Sequence, residues 1–163
     1  MSGEVAVRPG GVDDATKLKA IRLEALADTP AAFGSTYAEE ATWDDAQWRE
    51  VAGRWRYFLA EDGDVEVGMA SGGHNVEYPG TWWLFAMYVT PRLRGTGVAE
   101  DLVASVTAWA TSEGATQLHL AVTEPVARAR AFYAKLGFLP TGDVAPLHRD
   151  RAVRLINLVR DLD

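Results

Sequence analysis

Hydrophobic and polar residues recur with two different periods along this chain, and the changes of period mark its elements. Alternation over residues 5–8 predicts a short strand, ended by Pro9, Gly10 and Gly11. Asp13 or Asp14 then offers an N-cap for a helix whose apolar stripe is Leu18, Ile21, Ala25 and Leu26. Asp28, Thr29 and Pro30 stop it, and a loop with Phe33, Gly34 and Tyr37 follows. Thr42 with Asp45 resembles a capping box, which predicts a second helix with the stripe Trp48, Val51, Ala52 and Trp55.

The period then shortens to two. Residues 57–61 and 65–71 read as strands joined at Asp62, Gly63 and Asp64, where the Asp-Gly pair signals a hairpin. Gly72-Gly73 and Pro79-Gly80 are expected to flank a loop. Residues 81–89 form a nearly all-apolar run, the mark of a strand buried on both faces. From Gly97 a helical stripe returns as Val98, Leu102, Val106 and Trp109 or Ala110, with Gly114 as its C-cap. A strand at 117–122, a helix from about Val126 to Gly137, and strands at 138–142 and 152–159 complete the chain. The order is β-α-α-β-β-β-α-β-α-β-β, a single α/β domain over 1–163 with a mixed sheet.

Composition changes this picture mainly by exclusion. The 163 residues are 48% hydrophobic and 24% charged, enough to bury a core without staples, and no cysteine is present. Disulfides, thiolate metal sites and a cysteine nucleophile are thereby excluded. The histidines are scattered without ligand spacing, so no metal is expected. The longest apolar run, 82–89, is far below the roughly 18 residues of a membrane span, and the first residues lack a signal-like apolar region. A cytoplasmic protein is expected, and 13 arginines against 3 lysines hint at a GC-rich bacterial genome.

Lys+Arg 16 against Asp+Glu 23 gives a net charge of −7, which repels nucleic acid and slightly favours a cationic partner. Two stretches run against that balance: Arg92 and Arg94 in 90–99, and Arg128, Arg130 and Lys135 in 126–136, neither with a carboxylate. The first includes Gly95 and Gly97, where a strand runs into a helix start. Backbone N–H groups there lack helical partners and lie at the positive end of the helix dipole, so the turn is suited to an anion. Glu100 stands where a Rossmann fingerprint has its third glycine, and no Gly-Lys-Ser/Thr follows.

Arg92-x-x-Gly95-x-Gly97 matches the R/Q-x-x-G-x-G/A signature of the GNAT superfamily of acyl-CoA N-acyltransferases. Ala129, Phe132, Tyr133, Gly137 and Phe138 resemble that family's A-x-x-x-Y-x-x-x-G-F segment, and the element order agrees over essentially the whole chain. The resemblance implies an acetyl-CoA-dependent N-acetyltransferase that transfers directly to an amine. Amides from Arg94 through Gly95, Thr96, Gly97, Val98 and Ala99 would hold the pyrophosphate. Met87, Tyr88 and Val89 would pair with the pantetheine arm between two splayed strands, and an N–H at or beside Tyr88 would polarise the thioester carbonyl. Tyr133 would hydrogen-bond the leaving thiolate.

Two positions depart from the family pattern. Val126 stands where an Asn is frequent, which removes one side-chain bond to the pantetheine, and Ala99 replaces a further glycine. No Asp, Glu or His occurs between Glu77 and Glu100, so the general base stays open among Glu77, His74, Glu124, Glu39, Glu40 and a water chain. The acceptor, a small-molecule or peptide amine, would sit between the loops at 28–37 and 141–150, which contain Phe33, Tyr37, Asp143, His148 and Asp150. A homodimer is common among relatives. Two other readings are a non-catalytic acyl-CoA-binding module and a different phosphate-ligand binder.

Overall fold

Alternation over four consecutive apolar residues explains the centre of the fold. Tyr57 and Leu59 join one hydrophobic cluster while Phe58 and Ala60 join another, so this strand is buried on both faces. The computed structural model describes residues 4–147 and 150–163. Its sheet has seven strands in the order β1-β2-β3-β4-β5-β7-β6. They are β1 (Ala6–Pro9), β2 (Arg56–Asp62), β3 (Val65–Asn75), β4 (Tyr78–Val89), β5 (Gln117–Thr123), β6 (Leu139–Leu147) and β7 (Asp150–Asp161). Only β4 and β5 run parallel; the other neighbours are antiparallel.

Helices cover both faces. On one, Leu18, Ile21 and Leu26 of α1 (Ala15–Asp28) and Trp48 of α3 (Asp45–Arg54) pack with Tyr57, Leu59 and Met69. A four-residue helix, α2 (Tyr37–Glu40), lies between them in sequence. On the other, Leu102, Val106 and Ala110 of α4 (Val98–Ser112) meet Phe58, Ala60 and Leu120, and Tyr133 of α5 (Ala127–Lys135) joins the same layer. The expected stripes of α1 and α4 are buried, and the element order agrees except for α2.

Three local expectations are corrected. The cap of α3 is Asp44, not Thr42: its carboxylate accepts from the Gln47 amide at 2.8 Å and the Gln47 side chain accepts from the Asp44 amide at 2.9 Å. The aspartate beside the helix is already in reach, and Thr42 instead donates to the Glu39 carbonyl at 2.7 Å. Gly72 and Gly73 do not open a loop but continue β3, where Gly72 leaves room that Trp109 fills. Residues 139–147, expected as a short strand and an acceptor loop, are one strand.

A fourth correction matters for function. β4 is not buried on both faces throughout, because Phe85 is 38% exposed and Ala86 has φ +55. Tyr88 pairs with Met69 and Phe85 with Ser71, so β4 spends an extra residue in this interval. That bulge reverses the alternation: Trp82 and Leu84 point to the α4 layer before it, Met87 and Val89 after it.

Candidate active site

Beyond β4 the chain turns through a short 3-10 segment, Pro91–Leu93, into the N-terminus of α4. Gly95 and Gly97 both have positive φ, +78 and +97, a region that disfavours any Cβ. A Cβ placed on either would meet nothing within 4 Å, so the turn presents bare backbone to open space. The amides of Gly95, Thr96 and Gly97 donate to no backbone acceptor among the described residues, and those of Val98 and Ala99 open the helix. The Val98 side chain packs into the core beneath α4.

The arginines of this turn do not add their charge to it as expected. Arg94 directs Nη2 to Asp28 at 2.7 Å and Nε to the Val89 carbonyl at 3.1 Å. Arg92 reaches Asp62 at 3.3 Å. Both guanidinium groups are therefore partnered within the protein. An anion at this turn would meet backbone dipoles before any unpaired guanidinium.

β4 and β5 are paired at a single register position, Trp83 with His119, and diverge on either side. A cavity of about 700 Å³ occupies this divergence. Ala86 and Met87 from the bulge, Thr123 from the end of β5, and Tyr133 from α5 line it. Tyr88 does not present its side chain there. Its hydroxyl donates to Glu24 at 2.8 Å on the opposite face, and burial first, then that carboxylate, push its pKa up.

Tyr133 is 6% exposed, edge-on to Phe132 and Phe138. Burial pushes its pKa well above the ordinary phenol value, so the hydroxyl keeps its proton. Among the described residues it has no hydrogen-bond partner. Thr123 is similar: buried at 3%, lining the cavity, its hydroxyl without a partner. A buried hydroxyl such as that of Thr123 costs about 1–3 kcal/mol when nothing meets it. Sequence reasoning missed Thr123 and Ala86. A threonine closing an apolar alternation was a faint signal for the first, and nothing in the residue types signalled the bulge.

The five candidate bases separate cleanly. His74 and Glu77 line the cavity. His74 Nδ1 lies 3.0 Å from the Thr81 carbonyl, so that nitrogen carries a hydrogen and donates it. Glu40 is buried and bound by Arg22, Glu39 lies near Ser35, and Glu124 accepts from Arg154 at 2.6 Å; none of the three lines the cavity. Of the expected acceptor residues Phe33 lines it, Tyr37, Asp143 and Asp150 do not, and His148 lies outside the described residues. Among the described residues no group of three or more His, Asp or Glu is placed to hold a metal. None of their helices is long and apolar enough to cross a membrane.

Residues 19–138 match the family model of the acetyltransferase (GNAT) family. The chain belongs to the GNAT acetyltransferase family. None of the curated proteins matches this GNAT acetyltransferase in sequence. Its fold recurs in solved structures. One is yncA from Salmonella typhimurium, solved with its cofactor acetyl-CoA, with 22% identity, TM-score 0.77, and coverage of 99% of this chain and 95% of that one. A GCN5-related N-acetyltransferase from Kribbella flavida shares 24% identity at TM-score 0.74, over 97% of this chain and 98% of that one. The ribosomal-protein-S18-alanine N-acetyltransferase from Escherichia coli shares 17% at TM-score 0.67, over 98% and 95%. At these identities the likeness concerns the fold.

Proposed function

We propose that this GNAT acetyltransferase transfers an acetyl group from acetyl-CoA directly to an amine within a ternary complex. The observation that carries the reading is the continuity of three features: bare amides at the α4 start, the cleft where β4 leaves β5, and unpartnered hydroxyls inside it. These residues fit an elongated molecule with a diphosphate at one end and an amide-bearing arm. Bound acetyl-CoA supplies an acetyl thioester whose C–S bond is replaced by the acceptor's C–N bond.

The chain's own residues divide the work by position. Amides from Gly95 to Ala99 hold the diphosphate, aided by the α4 dipole. Backbone groups of Met87, Tyr88 and Val89 pair with the arm as an added strand would. The bulge takes Ala86 and Met87 out of register with β3, so an N–H of the 87–88 stretch is free to polarise the thioester carbonyl. Thr123 donates its hydroxyl to the arm, in a cleft where Val126 offers no polar group. Tyr133, held neutral by burial, donates a hydrogen bond to the departing sulfur. A raised phenol pKa makes complete proton transfer to a thiolate uphill, so hydrogen bonding is its role.

The amine must lose a proton before it attacks, since its pKa is ordinarily near 10. Glu77 and His74 are the cavity-lining groups able to take it, directly or through water. Cavity, cradle and hydroxyls also suit a module that binds acyl-CoA without turning it over. Calorimetric titration with acetyl-CoA beside adenosine diphosphate, followed by an amine panel, separates the readings. Tighter acetyl-CoA binding with turnover supports transfer, tighter binding without turnover leaves the module, and equal affinities reduce the site to a phosphate cradle.

A further inference from the structure

One row of residues runs across the sheet beneath the acceptor end of the cavity. Gly73 of β3 pairs with Trp83 of β4, and Trp83 pairs with His119 of β5. On β2, Arg56 pairs antiparallel with Gly72. The residue before it, Trp55, has an extended backbone (φ −76, ψ 143) and continues that register opposite Gly73. These side chains share the α1 face. A Cβ on Gly72 points the other way, toward Trp109 and Val106 of α4, whereas Trp55 packs with the α1 layer. The row therefore reads Trp, Gly, Trp, His, with the glycine between two indoles. A Cβ on Gly73 would meet only Phe85 Cε2, at 3.8 Å, and the space above this glycine opens into the cavity.

The walls of this slot are aromatic and held in place. On one side Trp83 stacks with Phe85 and with His119, at 13° and 23° between planes. Among the described residues Phe85 stacks with Trp83 alone, and it is 38% exposed. On the other side the rings of Phe33 and Trp55 lie 5.1 and 5.8 Å from the guanidinium carbon of Arg22. Glu40 fixes that guanidinium through two hydrogen bonds. All four rings line the cavity. The positions flanking Gly73 stand two strand spacings apart, ~10 Å, and aromatic centroids pair at about 4.5–7 Å, so one ring fits between them. The bulge at Ala86 lies ~10 Å along β4 from Trp83, the reach of a ring plus a short tether. We infer that the acceptor is a primary amine carrying a planar aromatic ring on a tether of two or three atoms. The ring enters the slot over Gly73, and the nitrogen points along β4 toward the bulge. Among the described residues Glu77 is the only carboxylate lining the cavity, so the second ammonium of a polyamine would lack a counter-charge. This inference rests on the transferase reading.

Because the protein has no cysteine, a thiol reagent reads released CoA without background. The experiment measures CoA release from acetyl-CoA with 2-phenylethylamine and tryptamine, beside 2-cyclohexylethylamine, hexylamine and spermidine. The aromatic amines are expected to show kcat/KM at least tenfold above the other three. Gly73→Val fits the strand, since Gly73 has no positive φ and its added Cβ meets its nearest neighbour at 3.8 Å. It should lower kcat/KM for the aromatic amines at least tenfold, with the acetyl-CoA dissociation constant changed less than twofold by calorimetry. Phe85→Leu keeps an apolar wall without its ring and should narrow the ratio of phenylethylamine to cyclohexylethylamine at least threefold. Saturated amines or spermidine turning over as well as the aromatic ones would overturn the slot while leaving the transferase reading intact. Aromatic turnover unmoved in both variants does the same. No CoA release with any of these amines, despite acetyl-CoA binding, overturns both.

Discussion

Trp83 and His119 stack at the single paired position of β4 and β5, with ring centroids 5.3 Å apart and 23° between their planes. The contact forms the point from which the two strands diverge, and it also buries the imidazole. Burial holds the His119 pKa below its ordinary value of 6.5. Below pH ~6.5 the unfolded chain therefore binds a proton that the native state resists. This contribution to stability is fully present above that value and falls as pH drops toward the depressed native pKa. Urea midpoints measured from pH 8 to pH 5 should decline on the acid side, and His119→Gln should remove that part of the slope. A native His119 titration by NMR at or above 6.5 contradicts the assignment.

Gly95→Val tests the cradle. A side chain at φ +78 costs ~1–2 kcal/mol of backbone strain but meets no neighbouring atom. The fold should survive, while the added methyls enter the space assigned to the diphosphate. Acetyl-CoA affinity should fall at least tenfold by calorimetry. Unchanged affinity removes the turn from the binding site.

Tyr133→Phe separates chemistry from packing. The hydroxyl bonds nothing among the described residues, so its loss should change stability by less than ~1 kcal/mol. We expect kcat to fall about 10²-fold with the acetyl-CoA dissociation constant little changed. Equal losses in both would make Tyr133 a wall residue. Its raised pKa further means that no tyrosine ionisation should shape the rate profile below pH ~10.

Thr123→Val keeps the shape and removes the unpartnered hydroxyl. Stability should stay level or rise by up to ~1 kcal/mol, since a buried polar group without a partner disappears. Affinity for acetyl-CoA should weaken about fivefold, equivalent to ~1 kcal/mol. A variant that loses stability instead would show that the hydroxyl has a structural partner in solution.

Much of the fold follows from local chemistry that the sequence displays. The apolar spacing of Leu18, Ile21 and Ala25, or of Leu102, Val106 and Ala110, commits each segment to one buried helix face. Gly95 and Gly97 announce a left-handed turn because other residues resist that conformation. Tyr133 was legible from its motif, and the structure adds that it is buried beside the cleft.

Other features arise only when distant segments meet. The bulge at Ala86 depends on how β3 and β4 settle over two cores at once, and alanine carries no sign of it. The charge of Arg92 and Arg94 was plain, but their partners Asp62 and Asp28 lie 30 and 66 residues away. Arg22 of α1 likewise meets Glu40 and the rings of Phe33 and Trp55 only once the chain has packed. Periodicity records which face of an element is buried. It does not record what stands opposite that face, because burial is a property of the whole packed chain.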